Sequence, residues 1–423
     1  MLTVFRQPIP QVVQQHAEES ANLRNMRSVL MTAPHVKLHH LRRLDDRLAA
    51  HLDGLAVAGE FGWKLCEAAL ERPGVGEVFA ATVRAIEDKN APGLNKLFAL
   101  AEAAPESRPG LISAFGWVSA QFLQGTIKNL LASFSAFQRQ VGIAACAMHR
   151  LDPGAALDAA ITDADALLRT QSLRVAGECG RRDLLNVCVK AMADEDAACR
   201  LWAACSSVLL GERSEAIGVL KDIALQAGPT RTLALRLVLK LVDAPRANEL
   251  LKTLAKDAAN IRLLIHGAGI AGGPYYVPWL IKQMEDLKLT RLAGESFSFI
   301  SGLDLAYLDL DRKPPENFES GPNDNPDDPD VSMDPDDRLP WPDSVKIQAW
   351  WDANKPRFTD GVHYFMGAPV TREHCLHVLK EGYQRQRIAA AQYLCLLDPG
   401  TKLFPTSAPA WRQKRWLAKI NFL

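Results

Sequence analysis

Asp165-Ala-Leu-Leu-Arg169 and Asp196-Ala-Ala-Cys-Arg200 are the same five-residue phrase written twice, 31 residues apart. An arginine returns at that interval through much of the chain: Arg108, Arg139, Arg169, Arg200, Arg231, Arg262 and Arg291. Glycines at 180, 211 and 273 each fall eleven residues after one of these arginines. A fixed period of this length is the signature of a repeat array, in which each unit holds two short helices and cannot bury its apolar face without a neighbour. The segment Arg200–Gly211 shows how one unit works. Its Leu201, Ala204, Cys205, Val208 and Leu209 fall on one helical stripe, and the terminal glycine is placed to turn left-handed and stop the helix.

A second match spans a longer distance. Phe137-Gln-Arg-Gln through Leu151-Asp-Pro-Gly154 repeats as Tyr383-Gln-Arg-Gln through Leu397-Asp-Pro-Gly400. Arg139 and Arg385 thus hold equivalent places, and the array is expected to resume after an interruption. The spacing predicts structural roles for Arg139, Asp165, Arg169, Asp196, Arg200, Arg231, Arg262 and Arg385. Each arginine is expected to bond to the acid four residues back or to carbonyls of an adjacent repeat.

Composition agrees with an array. Apolar residues make up 48% of the chain, which supplies a continuous core. Leucine and alanine dominate and alternation at period two is scarce, so the expected class is all-α: a right-handed α-solenoid. Four parts are expected: a helical cap region at 1–105, the repeats at 106–305, an insertion at 306–345 and a C-terminal helical repeat with a basic cap at 346–423. In the first part, leucines 38, 41, 44, 48, 52 and 55 form a clean amphipathic stripe.

The insertion breaks all periodicity. From Asp311 to Asp343 it carries eleven acids and three bases, too many prolines and like charges for a helix. Asp324, Asp327, Asp328, Asp330, Asp334, Asp336 and Asp337 supply most of that charge, and Trp341, Trp350 and Trp351 follow. Tryptophan is common at contact hot spots, so these residues are candidate partner-binding positions. The rings are also suited to pinning the end of the insertion onto the repeats. The stretch from 344 to the end carries twelve bases and five acids. The acidic loop is therefore expected to lie over this basic tail or over a basic repeat face, as a displaceable element whose loss leaves the fold intact.

Chemistry-bearing motifs are weak. Equal numbers of acidic and basic residues, 49 each, argue against a general nucleic-acid binder. The eight cysteines include no C-x-x-C pair and sit in helical stretches, as buried thiols of a cytoplasmic protein would. His35, His39, His40, Asp45, Asp46 and His51 crowd one helix without the H-E-x-x-H order. The glycines of His266-Gly-Ala-Gly-Ile-Ala-Gly-Gly-Pro274 follow a repeat helix rather than a strand, which reads as helix packing and a turn. No cofactor, metal site or membrane span is expected.

The Asp-x-x-x-Arg, Ala-Ala and terminal-glycine pattern over 106–305 and 371–400 resembles HEAT repeats. More narrowly, Arg47-Leu-Ala-Ala-His-Leu-Asp-Gly-Leu55, the acidic loop leading to Leu339-Pro-Trp-Pro-Asp343 and the Trp350-Trp351 pair resemble an uncharacterised bacterial family of HEAT-like proteins encoded among type VI secretion accessory genes. The resemblance implies a non-enzymatic adaptor, cytoplasmic, that binds a protein partner such as a secretion-system effector or spike component. HEAT-like solenoids that bind DNA and excise bases provide the alternative expectation.

Overall fold

The amphipathic stripes become helices. The computed structural model describes residues 8–316, 318, 320–322, 325 and 332–420. It is mostly helical, with 22 α-helices among the described residues and only two-residue strands beside them. The chain divides into two compact units: residues 1–210, 383–385 and 399–423 form the first, residues 211–382 and 386–398 the second.

In the first unit, alternate helices pack in succession: Pro10–Leu30, Val75–Glu87, Arg108–Trp117, Ala136–Met148, Ala166–Glu178 and Ala197–Leu210, each against the next. Other helices lie beside them: Ala91–Ala103 packs on Val75–Glu87 and Arg108–Trp117, and Leu185–Ala191 on Ala197–Leu210. The core runs through Leu48, Leu52, Phe79, Leu97, Leu111, Phe115 and Val141. All six leucines of the stripe on helix Leu38–Val57 are buried. So is the stripe of helix Ala197–Leu210, which ends at Gly211 with φ 114°.

This unit also holds a buried ion pair. The Arg27 Nε donates to Asp45 Oδ1 at 2.6 Å, and Asp45 Oδ2 accepts the Ala410 N–H at 2.6 Å, at the start of helix Ala410–Ile420. Asp45, one of the acids crowded on the histidine-rich helix, therefore ties three segments together. His16 and His51 meet through their Nδ1 atoms at 3.1 Å. Among the described residues no cluster of His, Cys, Asp or Glu is arranged to hold a metal. All eight cysteines are buried and unbridged.

The second unit repeats the scheme with helices Arg231–Leu239, Ile261–Ala271 and Thr290–Ser301, each packed on the next, and with Glu215–Leu225, Ala244–Leu254 and Val277–Gln283 beside them. Ile265, Leu280, Phe297, Ile300, Ile347 and Trp351 form its core. The left-handed stop of helix Ile261–Ala271 is Gly272, at φ 67°, one residue before the Gly273 that the eleven-residue interval selects; Gly273 has φ −82° and leads into Pro274. A small hairpin, Tyr364–Phe365 with Ala368–Pro369, closes over the ends of two helices. The N–H groups of Tyr364, Met366 and Gly367 donate to the carbonyls of Gly272, Phe299 and Ile300, which lack partners within their own helices. No helix among the described residues is long and apolar enough to cross a membrane.

Candidate functional site

The repeat arginines take backbone carbonyls, Arg262 that of Lys288 in the next repeat, but Arg169 and Arg200 do not bond the acid four residues back. Arg169 donates from Nη1 to the carbonyls of Asp163 (2.9 Å) and Ala164 (3.0 Å), six and five residues back. Its Nε and Nη2 grip the carboxylate of Asp194 in the following repeat, both at 3.0 Å. Arg139 does the same with the carbonyls of Ser133 and Phe134 and the carboxylate of Asp163, and Arg200 with the carbonyls of Asp194 and Glu195. The acid four residues back has another task. Asp165 and Asp196 are N-caps, accepting from the N–H groups of Leu168 and Cys199 at 2.9 Å. The repeats of Arg169 and Arg200 thus present an Asp-x-Asp turn: the first aspartate receives the previous repeat's arginine, the second starts the helix. Arg231 uses the carbonyl of Ala224 and the Asn260 side chain instead, and Arg385 donates to the carbonyl of Thr32.

The insertion joins this pattern within the second unit. Asp334-Pro-Asp336 forms the same turn, with the Asp336 N–H on Asp334 Oδ1 at 2.9 Å. Arg291 donates to Asp334 Oδ2 at 2.6 Å and to the Asp336 carbonyl at 3.1 Å, while Arg262 donates to Asp336 Oδ1 at 2.6 Å. Burial alone would raise the Asp334 carboxyl. The Asp336 N–H and the Arg291 guanidinium outweigh it and hold the group below the ordinary carboxylate range. Trp341 lies 4.7 Å beneath the same guanidinium and meets Phe318 edge-on. The base of the insertion is pinned by antiparallel pairing of Asp311–Arg312 with Trp341–Pro342.

The proposed partner-binding residues that the structure describes are differently placed. Asp324, Asp327, Asp328 and Asp330 lie outside the described residues. Asp336 is buried, and Asp337 is exposed beside Arg338. Trp341 and Trp351 are buried, and half-buried Trp350 packs edge-on against Phe297 and Phe358. These rings do what pinning tryptophans would do.

An open surface lies elsewhere in the second unit, mostly at residues not singled out by the sequence. A groove of about 940 Å³ runs between helices Ala244–Leu254 and Ser344–Asn354, floored by Leu264 and Ala268 and walled by Tyr275, Tyr276, Trp279 and Phe358. Its shape follows from Gly272, which ends one helix, and from Pro274 and Pro278, which set the next. Tyr275 is 70% exposed, a large ring left in water. Its neighbour Tyr276 stands edge-on at 5.5 Å and donates its hydroxyl to Asn248 Oδ1. Burial, and secondarily Tyr275, pushes the Tyr276 phenol up to about 12, so it remains a donor. Trp351 lines the groove from the core side, 5.1 Å from Phe358, and its indole N–H has no acceptor among the described residues. Lys252, Lys355, Asp352 and Asp360 are exposed around the groove, two of each sign. The sequence signals for this place are Trp351, already a candidate from the sequence, and the aromatic run Pro274-Tyr-Tyr-Val-Pro-Trp279.

No family model, no curated protein and no solved structure matches this chain.

Proposed function

We propose that this chain is a non-enzymatic scaffold of right-handed, HEAT-like α-solenoid type, and that the aromatic groove of the second unit binds an extended segment of a protein partner. The exposed Tyr275 beside Tyr276 and Trp279 carries the reading. Aromatic side chains give large contact area at low entropic cost and dominate binding energy at interfaces. An extended segment suits the groove because it offers flat apolar faces to the rings. The mixed charges at the rim favour orientation of such a segment over bulk electrostatic attraction. On the resemblance to HEAT-like accessory proteins, effector and spike components of type VI secretion are the first candidate partners.

The test is a photo-crosslinking residue placed at Tyr275 and, as a control on the same unit, at the exposed Val345, in native cells. A partner captured from position 275 and not from 345 should then bind the purified chain. Tyr275→Ser with Trp279→Ala should weaken that binding by about 10-fold or more. Equal capture at both positions, or unchanged affinity of the double variant, overturns the reading.

A further inference from the structure

Helix Ala410–Ile420 walls a second indentation, within the first unit. Trp411, Arg412, Arg415, Trp416 and Lys419 share one of its faces, since residues three and four apart are neighbours on a helix surface. Ser119 and Ala120, which follow helix Arg108–Trp117, and His149, which follows helix Ala136–Met148, complete the lining. The notch has a volume of about 230 Å³, and its lining holds no aspartate or glutamate among the described residues.

Its cations have separate duties. Arg412 is buried. Its Nη1 donates to the Gly116 carbonyl at 2.7 Å and its Nη2 to those of Trp117 and Val118 at 3.1 Å and 2.7 Å, so it caps the end of helix Arg108–Trp117. No carboxylate neutralises it there. Trp411 carries two guanidinium groups, those of Arg412 and Arg415, each 4.8 Å from its ring centre. Such stacking steadies a guanidinium and leaves its charge in place. Arg415 and Lys419 are both exposed. Among the described residues neither makes a hydrogen bond or an ion pair, and the Ser119 hydroxyl has no partner either. His149 donates from Nε2 to the Phe115 carbonyl at 2.9 Å and, lowered to about 4 by burial and then by Arg412, adds no charge near neutral pH. The notch therefore presents two unpaired cations and a free hydroxyl, with a third positive charge behind them.

We propose that this notch binds the phosphate group of a small phosphomonoester, with Arg415, Lys419 and the Ser119 hydroxyl donating to its oxygens. Charge selects the group. A phosphomonoester carries about −1.5 to −2 at pH 7 and three strong acceptor oxygens, which answers two unpaired cations, where a carboxylate would answer one. Arginine and lysine are also the donors that phosphate takes most readily, the guanidinium through its fixed fork and the ammonium as a point charge. Shape selects the size. The notch is smaller than the about 300–1,000 Å³ of pockets for drug-sized ligands, so it admits a phosphate with a compact organic residue along the indoles of Trp411 and Trp416. Its concavity suits a soluble ligand better than a flat lipid surface.

The test is isothermal titration calorimetry of the full chain with phenyl phosphate at low salt and about pH 7.5, where a phosphomonoester is a dianion. One equivalent should bind. Benzoate, a monoanion with the same ring, should bind at least about 10-fold more weakly. Arg415→Gln with Lys419→Gln should weaken phenyl phosphate binding by about 10-fold or more. The melting temperature should stay unchanged, because neither side chain bonds to the rest of the chain. A second arm uses vesicles of phosphatidylcholine with phosphatidic acid, which carries the same group on a lipid. Any attachment to them should be reversed by phenyl phosphate. No binding of phenyl phosphate, equal binding of benzoate, unchanged affinity in the double variant, or vesicle attachment that phenyl phosphate does not reverse overturns the proposal.

Discussion

Arg291 holds Asp334 in the way that Arg169 holds Asp194. In both cases a guanidinium reaches the first aspartate of an Asp-x-Asp turn, at 2.6 Å and 3.0 Å, and that aspartate accepts the N–H two residues on at 2.9 Å. Asp194 belongs to the repeat that follows Arg169. Asp334 belongs to an insertion 43 residues beyond Arg291. The insertion supplies, from a distance, the turn that another repeat would have supplied.

The ladder makes a prediction for Arg169. Arg169→Ala removes two carbonyl bonds and a two-pronged carboxylate contact, both partly buried. Stability should fall by about 1–3 kcal/mol. Lys64→Ala, which loses an exposed pair with Glu60, should cost far less, since exposed pairs contribute little. Urea unfolding of the two variants measures the difference, and equal costs would show that the ladder contributes nothing special.

The insertion makes the second. Asp334→Asn with Asp336→Asn should lower the melting temperature, because buried Arg291 loses the Asp334 charge it faces and Arg262 loses that of Asp336. The same holds for deletion of residues 321–337, against the expectation that a charged loop is removed without cost. The physical reason is that Asp336 is 3% exposed and bound from two sides. Raised salt should restore little, since buried pairs are poorly screened.

Asp45 makes the third. Asp45→Ala strands a buried guanidinium and uncaps helix Ala410–Ile420, so about 3–5 kcal/mol should be lost. Asp45→Asn, which can still accept the Ala410 N–H, should lose less. Denaturation followed by tryptophan fluorescence reads both; an alanine variant as stable as the wild type would rule out this role.

Two histidines make the fourth. Burial first, then Arg412, lowers His149 to about 4, while burial and then Lys240 lower His363 to about 4. Both lie below the ordinary 6.5, so the unfolded chain binds more protons between those values. Their contribution is full above pH 6.5 and is lost as pH falls toward 4. His149→Gln and His363→Gln should each flatten part of the fall in urea midpoint across that window. A midpoint indifferent to pH there would contradict the burial of both rings.

Much of the local architecture was legible because period and burial are linked. The stripe at Leu38 to Leu55 and the one at Leu201 to Leu209 lie inward as spaced. Arg169 was recognisable as structural, but its partner was not. Spacing shows which residues share a helix face, whereas Asp194 reaches Arg169 through packing of the next repeat. The acid four residues back looked like an ion partner because caps and pairs use the same residue types. The groove was illegible because Tyr275 and Trp279 come together with Phe358 only through folding, and tryptophans in sequence look alike whether they end exposed, like a binding ring, or buried, like Trp351.

The Asp334 turn is anchored by its own contacts, and the base of the insertion is anchored separately by the Asp311–Arg312 pairing. Chain between two fixed anchors lengthens at only a logarithmic entropic cost. A tag, a reporter or a whole folded domain spliced after Gly321 should therefore leave both anchors closed, so that the protein could carry cargo there.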